Sequence, residues 1–385
     1  MCGDADSMTS TERLLTAADF REPDRVPIEL QIGASARELP ELERIVEFID
    51  IQADNFIGIG CVDWGFFGLG SEYSEEVIED IPGQYRRIRR IYRTREAGDF
   101  FAITRHAYPR LDAPDFRWER RFIDTIDEMA RLAEAPRTSR QFDADAYNRG
   151  VEQIGERGVA MTSVMHPLGT LVRQANMVEV YGWLMLEPEI MHRFLESTNT
   201  QARDTVLAMG RAGIEPWFGT WALEMLIPPW MGRRLFDEWV FPYDKMVNDA
   251  IHIIGGRHRS HCHGESMGFL VRMAEMRLDA TEPLEPPPFG DVDLAEAKRL
   301  VGDHMMLSGN IPSQDFVTCT PEQVRQWVKD AIAAAAPGGG FSLRTTGGHA
   351  GIDPYLDRDT LAHIIDNVEA YIEAGLEYGE YPIRL

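Results

Sequence analysis

The chain is short of paired cysteine, of long apolar runs and of positive charge, and each shortage removes a class of protein. Its four cysteines, Cys2, Cys61, Cys262 and Cys319, have no paired spacing. No disulfide framework is therefore expected, and a reducing compartment is. No apolar run approaches the ~18 residues that cross a bilayer, and Met1 to Ser10 lacks a basic stretch followed by an apolar core. These absences predict a cytoplasmic protein without a membrane partner. Lys and Arg number 39 against 63 Asp and Glu, a net charge of −24. That balance disfavours nucleic acid or an anionic membrane surface as a partner and suits an acidic soluble enzyme.

What the chain does have is a regular alternation of strand and helix patterns. Thr9-x-x-Glu12 is a capping box that opens a helix from Ser10 to about Ala18. Strands are predicted at Val26–Gln31, Asn55–Gly60, Val159–Met165, Glu215–Thr220, Arg257–His263, Leu278–Pro283, His304–Ser308 and Phe341–Thr346. Between them lie helical patterns near Leu42–Ile49, Asp124–Ala133 and Asp143–Arg157, then Pro188–Met209, Arg234–Ile254 with Pro242 as a kink, Met267–Met276, Leu294–Val301 and Pro321–Ala335. Eight alternating units predict an α/β protein, a single (β/α)8 TIM barrel over residues 1–385 with an N-terminal helical segment. One stretch, about 84–121, breaks the pattern and reads as an inserted β meander around Ala97-Gly98-Asp99. Residues 86–121 hold eleven arginines against five acids, which suits a solvated hairpin or a dock for an acidic partner or an anionic cofactor tail.

Barrels of this kind carry their chemistry at the carboxyl ends of the strands. The central stretch is Arg257-His258-Arg259-Ser260-His261-Cys262-His263-Gly264-Glu265. Alternate residues of a strand share a face, so His261 and His263 stand about 6.6 Å apart along the backbone on one side. A lone His at a strand end is ordinarily a hydrogen-bonded core residue, whereas a His-x-His pair can converge on one cation. Other strand ends bring Gln31, Asp63, His166, Glu282, Glu285, Asn310 and His349. His261, His263 and His349 with Glu282 or Glu285 would make a tetrahedral zinc set, the carboxylate serving as fourth ligand or as the group that fixes an imidazole tautomer. Asp63 and His166 are candidates for substrate hydrogen bonding or proton transfer. Trp217, Trp221 and their neighbours Phe218, Met225 and Trp230 could wall a small ligand, and Asn310 could contact it.

The order of motifs resembles the uroporphyrinogen decarboxylase superfamily, from Glu22-Pro23-Asp24-Arg25-Val26-Pro27 to the last strand and helix. The most specific part is 257–312: the His-containing strand end with Gly264, Leu278-Asp279-Ala280, Asp291-Val292-Asp293-Leu294 and Leu307-Ser308-Gly309-Asn310-Ile311. The superfamily's decarboxylases carry an Arg-Gln-Ala-Gly-Arg-Tyr-Leu-Pro-Glu run whose arginines bind carboxylates. The matching stretch, Gly33 to Glu41, keeps only Arg37, while Gly348-His349-Ala350 is similar to their Gly-His-Gly. The other branch, corrinoid-dependent methyltransferases, binds zinc through His-x-Cys-Gly and a later Cys. His261-Cys262-His263-Gly264 resembles that motif with His263 in place of the first Cys, and His349 stands where the second would be.

That resemblance implies a metal-dependent methyltransferase acting between a small methoxylated, methylamine or thioether compound and a cobalt corrinoid on a partner protein. The chain itself lacks the Asp-x-His-x-x-Gly signature of a corrinoid module. Two imidazoles in place of thiolates would leave zinc, or another divalent transition metal, a stronger Lewis acid. Members of the superfamily often form homodimers. A decarboxylase of a small acid, with Arg37 holding the carboxylate and His349 giving the proton, and a metal-dependent hydrolase are the alternatives.

Overall fold

The computed structural model describes residues 8–108, 111 and 116–385; Cys2 and Arg110 lie outside them. Among the described residues, twelve strands follow one another as β1 (Ile28–Glu29), β2 (Asn55–Gly58), β3 (Ser71–Ile81), β4 (Tyr85–Thr94), β5 (Gly98–Ala107), β6 (Arg117–Arg120), β7 (Gly158–Ser163), β8 (Trp217–Thr220), β9 (Arg257–Cys262), β10 (Ala280–Pro283), β11 (Met306–Ile311) and β12 (Phe341–Thr345). Eight of them form one all-parallel sheet in the order β1-β12-β11-β10-β9-β8-β7-β2. These are the eight strands predicted from the sequence, wound into the expected (β/α)8 barrel.

The barrel closes between β1 and β2 without a ladder. Besides one backbone bond, from the Asp54 amide to the Ile28 carbonyl at 2.8 Å, side chains bridge the seam. The Ile28 amide donates to Asp54 Oδ2 at 2.9 Å, the Leu30 amide donates to Asn55 Oδ1 at 3.1 Å, and Asn55 Nδ2 donates to the Leu30 carbonyl at 2.9 Å. Asp54 is fully buried, and its charge is matched by Arg13 and Arg25, each 2.7 Å away. A buried carboxylate without such partners would cost several kcal/mol. At the amino-terminal end of the strands, the capped helix Ser10–Ala18 plugs the barrel. Its Leu14 and Ala17 pack with Phe56, Val159, Trp217, Ala280 and Met306.

The helical predictions hold with changes of form, and the stretch predicted as a helix over Met267–Met276 is a 3-10 turn, Met267–Phe269, that runs into a short helix, Leu270–Glu275. Helices occur at Pro188–Arg211, Leu294–Val301 and Pro321–Ala335, but the expected kink at Pro242 is a break into Arg233–Trp239 and Phe241–Ile253. Proline has no amide proton and its ring crowds the preceding turn, so the first helix stops before it. The meander is larger than predicted, beginning at Ser71 rather than near 84. Its extra strand, β3, is acidic and pairs antiparallel with the arginine-rich β4 so that Glu75 faces Arg90, Glu76 faces Arg89 and Asp80 faces Arg86. Much of the basic charge of β4 is met from within: Arg86, Arg87, Arg89 and Arg90 all have carboxylate partners.

Candidate active site at the barrel mouth

At the carboxyl ends of β1, β2 and β7 opens a cavity of about 350 Å³, walled by Gln31, Phe56, Met161, Trp221, Arg259, Glu282 and Arg344 among others. Its floor holds four charges. Arg259 Nη2 lies 2.7 Å and Arg344 Nη1 3.0 Å from the same Glu29 oxygen, Oε2. Arg344 Nε lies 2.5 Å from Glu282 Oε2, and Arg259 Nε stands 3.8 Å from Glu282 Oε1. The other Glu29 oxygen accepts from Ser342 at 2.6 Å. Glu29, Arg259 and Glu282 are each under 9% exposed, so the charges persist only because they neutralise one another. Burial works to raise the Glu282 pKa, but Arg344, Arg259 and His261 overcome it and hold the carboxyl well below the usual carboxylate range.

The His-x-His pair stands at the end of β9 beside this floor. The two rings lie with centroids 4.4 Å apart at an interplanar angle of 78°. His261 Nδ1 is 3.2 Å from Glu282 Oε1, and His263 Nδ1 is 2.9 Å from Glu285 Oε1. Both glutamates follow from β10, the neighbour of β9, in which Glu282 is directly opposite His261. Glu285 is fixed in turn: its other oxygen accepts from the Gly264 amide at 2.8 Å, and Oε1 also accepts from Gln314 at 2.9 Å. Gly264 has φ +82, a left-handed conformation that glycine adopts without a Cβ penalty. The hydrogen bond to Glu285 raises the His263 pKa against the opposing effect of burial. Despite its burial, the Glu285 carboxyl is lowered by that imidazole and by the Gly264 amide. Buried Cys262 points away from this face, and desolvation raises its thiol pKa well above the ordinary value, which fits a packing role.

The remaining predicted residues divide. Trp221 is 46% exposed and forms one wall of the cavity, whereas Trp217 packs in the plugged end of the barrel against Phe56. Asn310 lines a separate groove with Pro286, Pro312 and Trp327. His166 lies in an adjoining cavity that shares Ser163 and Trp221 with the first. Its Nε2 is 2.8 Å from Asp244, and its Nδ1 accepts from the Gly169 amide as a helix cap. Asp63 makes a turn, accepting from the Gly65 amide at 2.8 Å, with its side chain 88% exposed. Arg37 sits on a one-turn 3-10 helix and pairs with Asp50 at 2.5 Å, away from the residues that wall the cavity. His349 is exposed, with its ring against Gly33. Its loop is nonetheless tied to the site: Thr346 donates to Gln314 Oε1 at 2.7 Å, and Gln314 holds Glu285.

Sequence reasoning missed Glu29, Arg259 and Arg344. The signal was available in the strand alternation, because Arg259 precedes His261 by two residues and Glu29 precedes Gln31 by two. A charge on the inward face of a barrel strand must find a partner or a ligand.

The donor set suits a divalent metal in part. Imidazoles that ligate through Nε2 characteristically hand Nδ1–H to a carboxylate, and His261 and His263 each have Nδ1 close to a glutamate oxygen, at 3.2 and 2.9 Å. Among the described residues, however, no three His, Cys, Asp or Glu side chains converge as one ligand group. The two imidazoles stand side by side at the end of β9, and His349 is not brought to them.

No curated protein matches the chain. Among solved structures, a methyltransferase from Methanosarcina mazei aligns over 95% of this chain and 99% of that chain with a TM-score of 0.56 at 15% identity, a likeness of fold. A B12-independent methionine synthase from Shewanella sp. W3-18-1, in complex with selenomethionine, aligns over 75% of this chain and 74% of that chain at 12% identity, with a TM-score of 0.38. Among the described residues, no helix is long and apolar enough to cross a membrane. Residues 107–371, which include β7 to β12 and therefore both histidines, both site glutamates, Arg259 and Arg344, match the family described as Uroporphyrinogen decarboxylase (URO-D). That match spans more than half of the 385 residues, and the chain belongs to the uroporphyrinogen decarboxylase family.

Proposed function

We propose that the protein is a metal-dependent methyltransferase that moves a methyl group between a small methoxylated, methylated-amine or thioether compound and a cobalt corrinoid carried by a partner protein. The observation that carries this reading is the pair of carboxylate-held imidazoles. With Nδ1 turned to Glu282 and Glu285 at 3.2 and 2.9 Å, a proton on Nδ1 would leave His261 and His263 each with the Nε2 lone pair for a cation. When bound, zinc or a related divalent ion would supply Lewis-acid polarisation of the heteroatom that carries the methyl group. The chain's own residues do the rest. Glu282 and Glu285 would fix the ring tautomers, Arg344 and Gln314 hold those carboxylates in place, and Trp221 with Phe56 and Met161 gives the cavity an apolar wall for the ligand. The likeness of fold to an archaeal methyltransferase agrees with this reading. For a decarboxylase using Arg37, no observation speaks: that guanidinium is engaged by Asp50 on an exposed turn.

The test is elemental analysis of protein purified without added metal or chelator, beside His261→Ala, His263→Ala and His349→Ala. About one equivalent of zinc or another divalent metal in the parent, lost in the first two variants, is the expected result. Retention in His349→Ala would leave a site built on β9 alone, whereas loss would mean that His349 swings from Gly33 into the ligand set. No metal in the parent, with none taken up when zinc or nickel is supplied, overturns the reading. A parent that holds metal is then assayed for methyl transfer to a Co(I) corrinoid.

A further inference from the structure

On the cavity floor Arg259 Nη1, Arg344 Nε and Glu282 Oε2 are buried without a hydrogen-bond partner, and the last two face each other as an ion pair at 2.5 Å, which leaves Arg259 Nη1 as the unpaired donor. Arg259 is 3% exposed; its Nη2 goes to Glu29, its Nε is 3.8 Å from Glu282, and its Nη1 has no hydrogen-bond partner. Its guanidinium carbon stands 4.3 Å from the centre of the Phe56 ring, so one face of the group is packed on an apolar surface. The carboxylates nearby are already engaged. Glu29 receives Arg259, Arg344 and Ser342, and Glu282 faces Arg344 and His261. A cationic ligand would therefore meet two guanidiniums and no unengaged carboxylate. An oxyanion would meet a buried, unpartnered donor in a poorly solvated place, where charge-assisted hydrogen bonds are about twice as strong as neutral ones. Beside Arg259, Arg344 also lines the cavity, its side chain 23% exposed. The apolar part of the lining is Phe56, Ile59, Met161 and Trp221. The volume, about 350 Å³, is near the lower end of small-molecule sites, which span about 300–1,000 Å³.

We infer that the substrate enters this mouth carboxylate first, the carboxylate received by the Nη1 edge of Arg259 with Arg344 beside it, and that the substrate is a small carboxylic acid with an apolar body. The inference names the substrate class of the proposed methyl-transfer site and rests on that mouth being where substrate binds. Arg259 and Arg344 are thus substrate-binding residues as well as partners of Glu29. A planar guanidinium matches a carboxylate edge to edge, which a lysine ammonium would not.

Calorimetric titration of the parent protein with two isosteric pairs, benzoate against benzamide and isovalerate against isovaleramide, tests this without any variant. At least one acid is expected to bind tenfold or more tightly than its amide. The Arg259→Gln/Glu29→Gln double variant, which removes one charge of each sign, is expected to abolish the preference. Equal or tighter binding of the amides, no binding of either acid, or an unchanged preference in a folded double variant overturns the inference. Neither benzoate nor isovalerate has a methyl group on a heteroatom, so these titrations are independent of methyl transfer. Transfer from anisole as fast as from 4-methoxybenzoate would sink the carboxylate subsite and leave the methyltransferase standing. Binding of the acids without transfer from any methylated acid would do the reverse.

Discussion

The meander and the barrel mouth are both built on arginine–carboxylate pairs, and they use them in opposite ways. In the meander, arginines of β4 meet acids of β3 across a single turn. Arg89 and Glu76, for instance, lie 3.5 Å apart with side chains 42% and 59% exposed. In the mouth, Arg259 and Arg344 meet Glu29 from strands more than 200 and 300 residues away in sequence, and both sides of the Arg259–Glu29 pair are at most 3% exposed. Exposed pairs gain little, since water screens them and ordering two long side chains costs entropy. A buried pair carries a desolvation cost that attraction only offsets, so such charges stay where specificity or ligand binding needs them. The meander thus pairs its charges in water across a hairpin, and the mouth pairs them in the barrel interior across strands distant in sequence.

That contrast can be broken from either end. Glu29→Ala leaves one surplus buried guanidinium charge, since Arg344 keeps Glu282 while Arg259 loses its close partner, and is expected to cost about 3–5 kcal/mol in denaturant unfolding. The double variant with Arg259→Gln should recover part of the loss, since it removes the surplus charge. His258 marks a third solution, burial without charge. Its Nδ1 is 2.5 Å from Asn248 Oδ1, its Nε2 is 3.0 Å from Thr220 Oγ1, and burial lowers its pKa to about 3. Because the folded pKa lies below the unfolded one, the unfolded chain binds the extra proton. This contribution to stability is therefore complete above about 6.5 and is lost as the pH falls toward about 3. His258→Gln should flatten that part of the stability profile in pH-dependent melts. Gly219 borders Trp221 in the mouth, where an added Cβ would lie 3.0 Å from Met161 Sδ and 3.5 Å from Trp221 Cη2. Gly219→Val should cost about 1–3 kcal/mol by overpacking and weaken benzoate binding more than tenfold. The smallest effect is expected in the meander, where Glu76→Ala should change stability by about 0.5 kcal/mol or less.

The same contrast explains how much could be read in the sequence. All eight barrel strands were legible because buried β-rich runs alternate with well-marked helices such as Thr320-Pro321 with its cap. The meander's first strand was not. Ser71–Ile81 is polar and acidic, and its β character comes from the partner strand rather than from an apolar period of its own. The helix Met177–Leu186 escaped because it is apolar on nearly every side, which leaves no 3.6-residue period to detect. At the site, the alternation of His261 and His263 and the strand-end rule were enough to find the pair and its two glutamates. They could not show which glutamate serves which ring, because that depends on the register of β9 against β10. Nor could they show that Asp63, so close to a strand end, is spent on the turn at Gly65, or that Arg37 is taken by Asp50.

One consequence concerns the seam between β1 and β2. A continuous ladder shares closure among many amides, so no one residue can open it. Here the ring is fastened by one backbone bond and a clasp of side chains, Asp54 and Asn55, with Gln31 above them donating to the Phe56 carbonyl at 3.2 Å where both residues wall the cavity. Breathing at that clasp would widen the ligand's berth without unfolding a strand. The amides of Ile28 and Leu30, held by side chains alone rather than by a neighbouring backbone, are where solvent exchange would first report it.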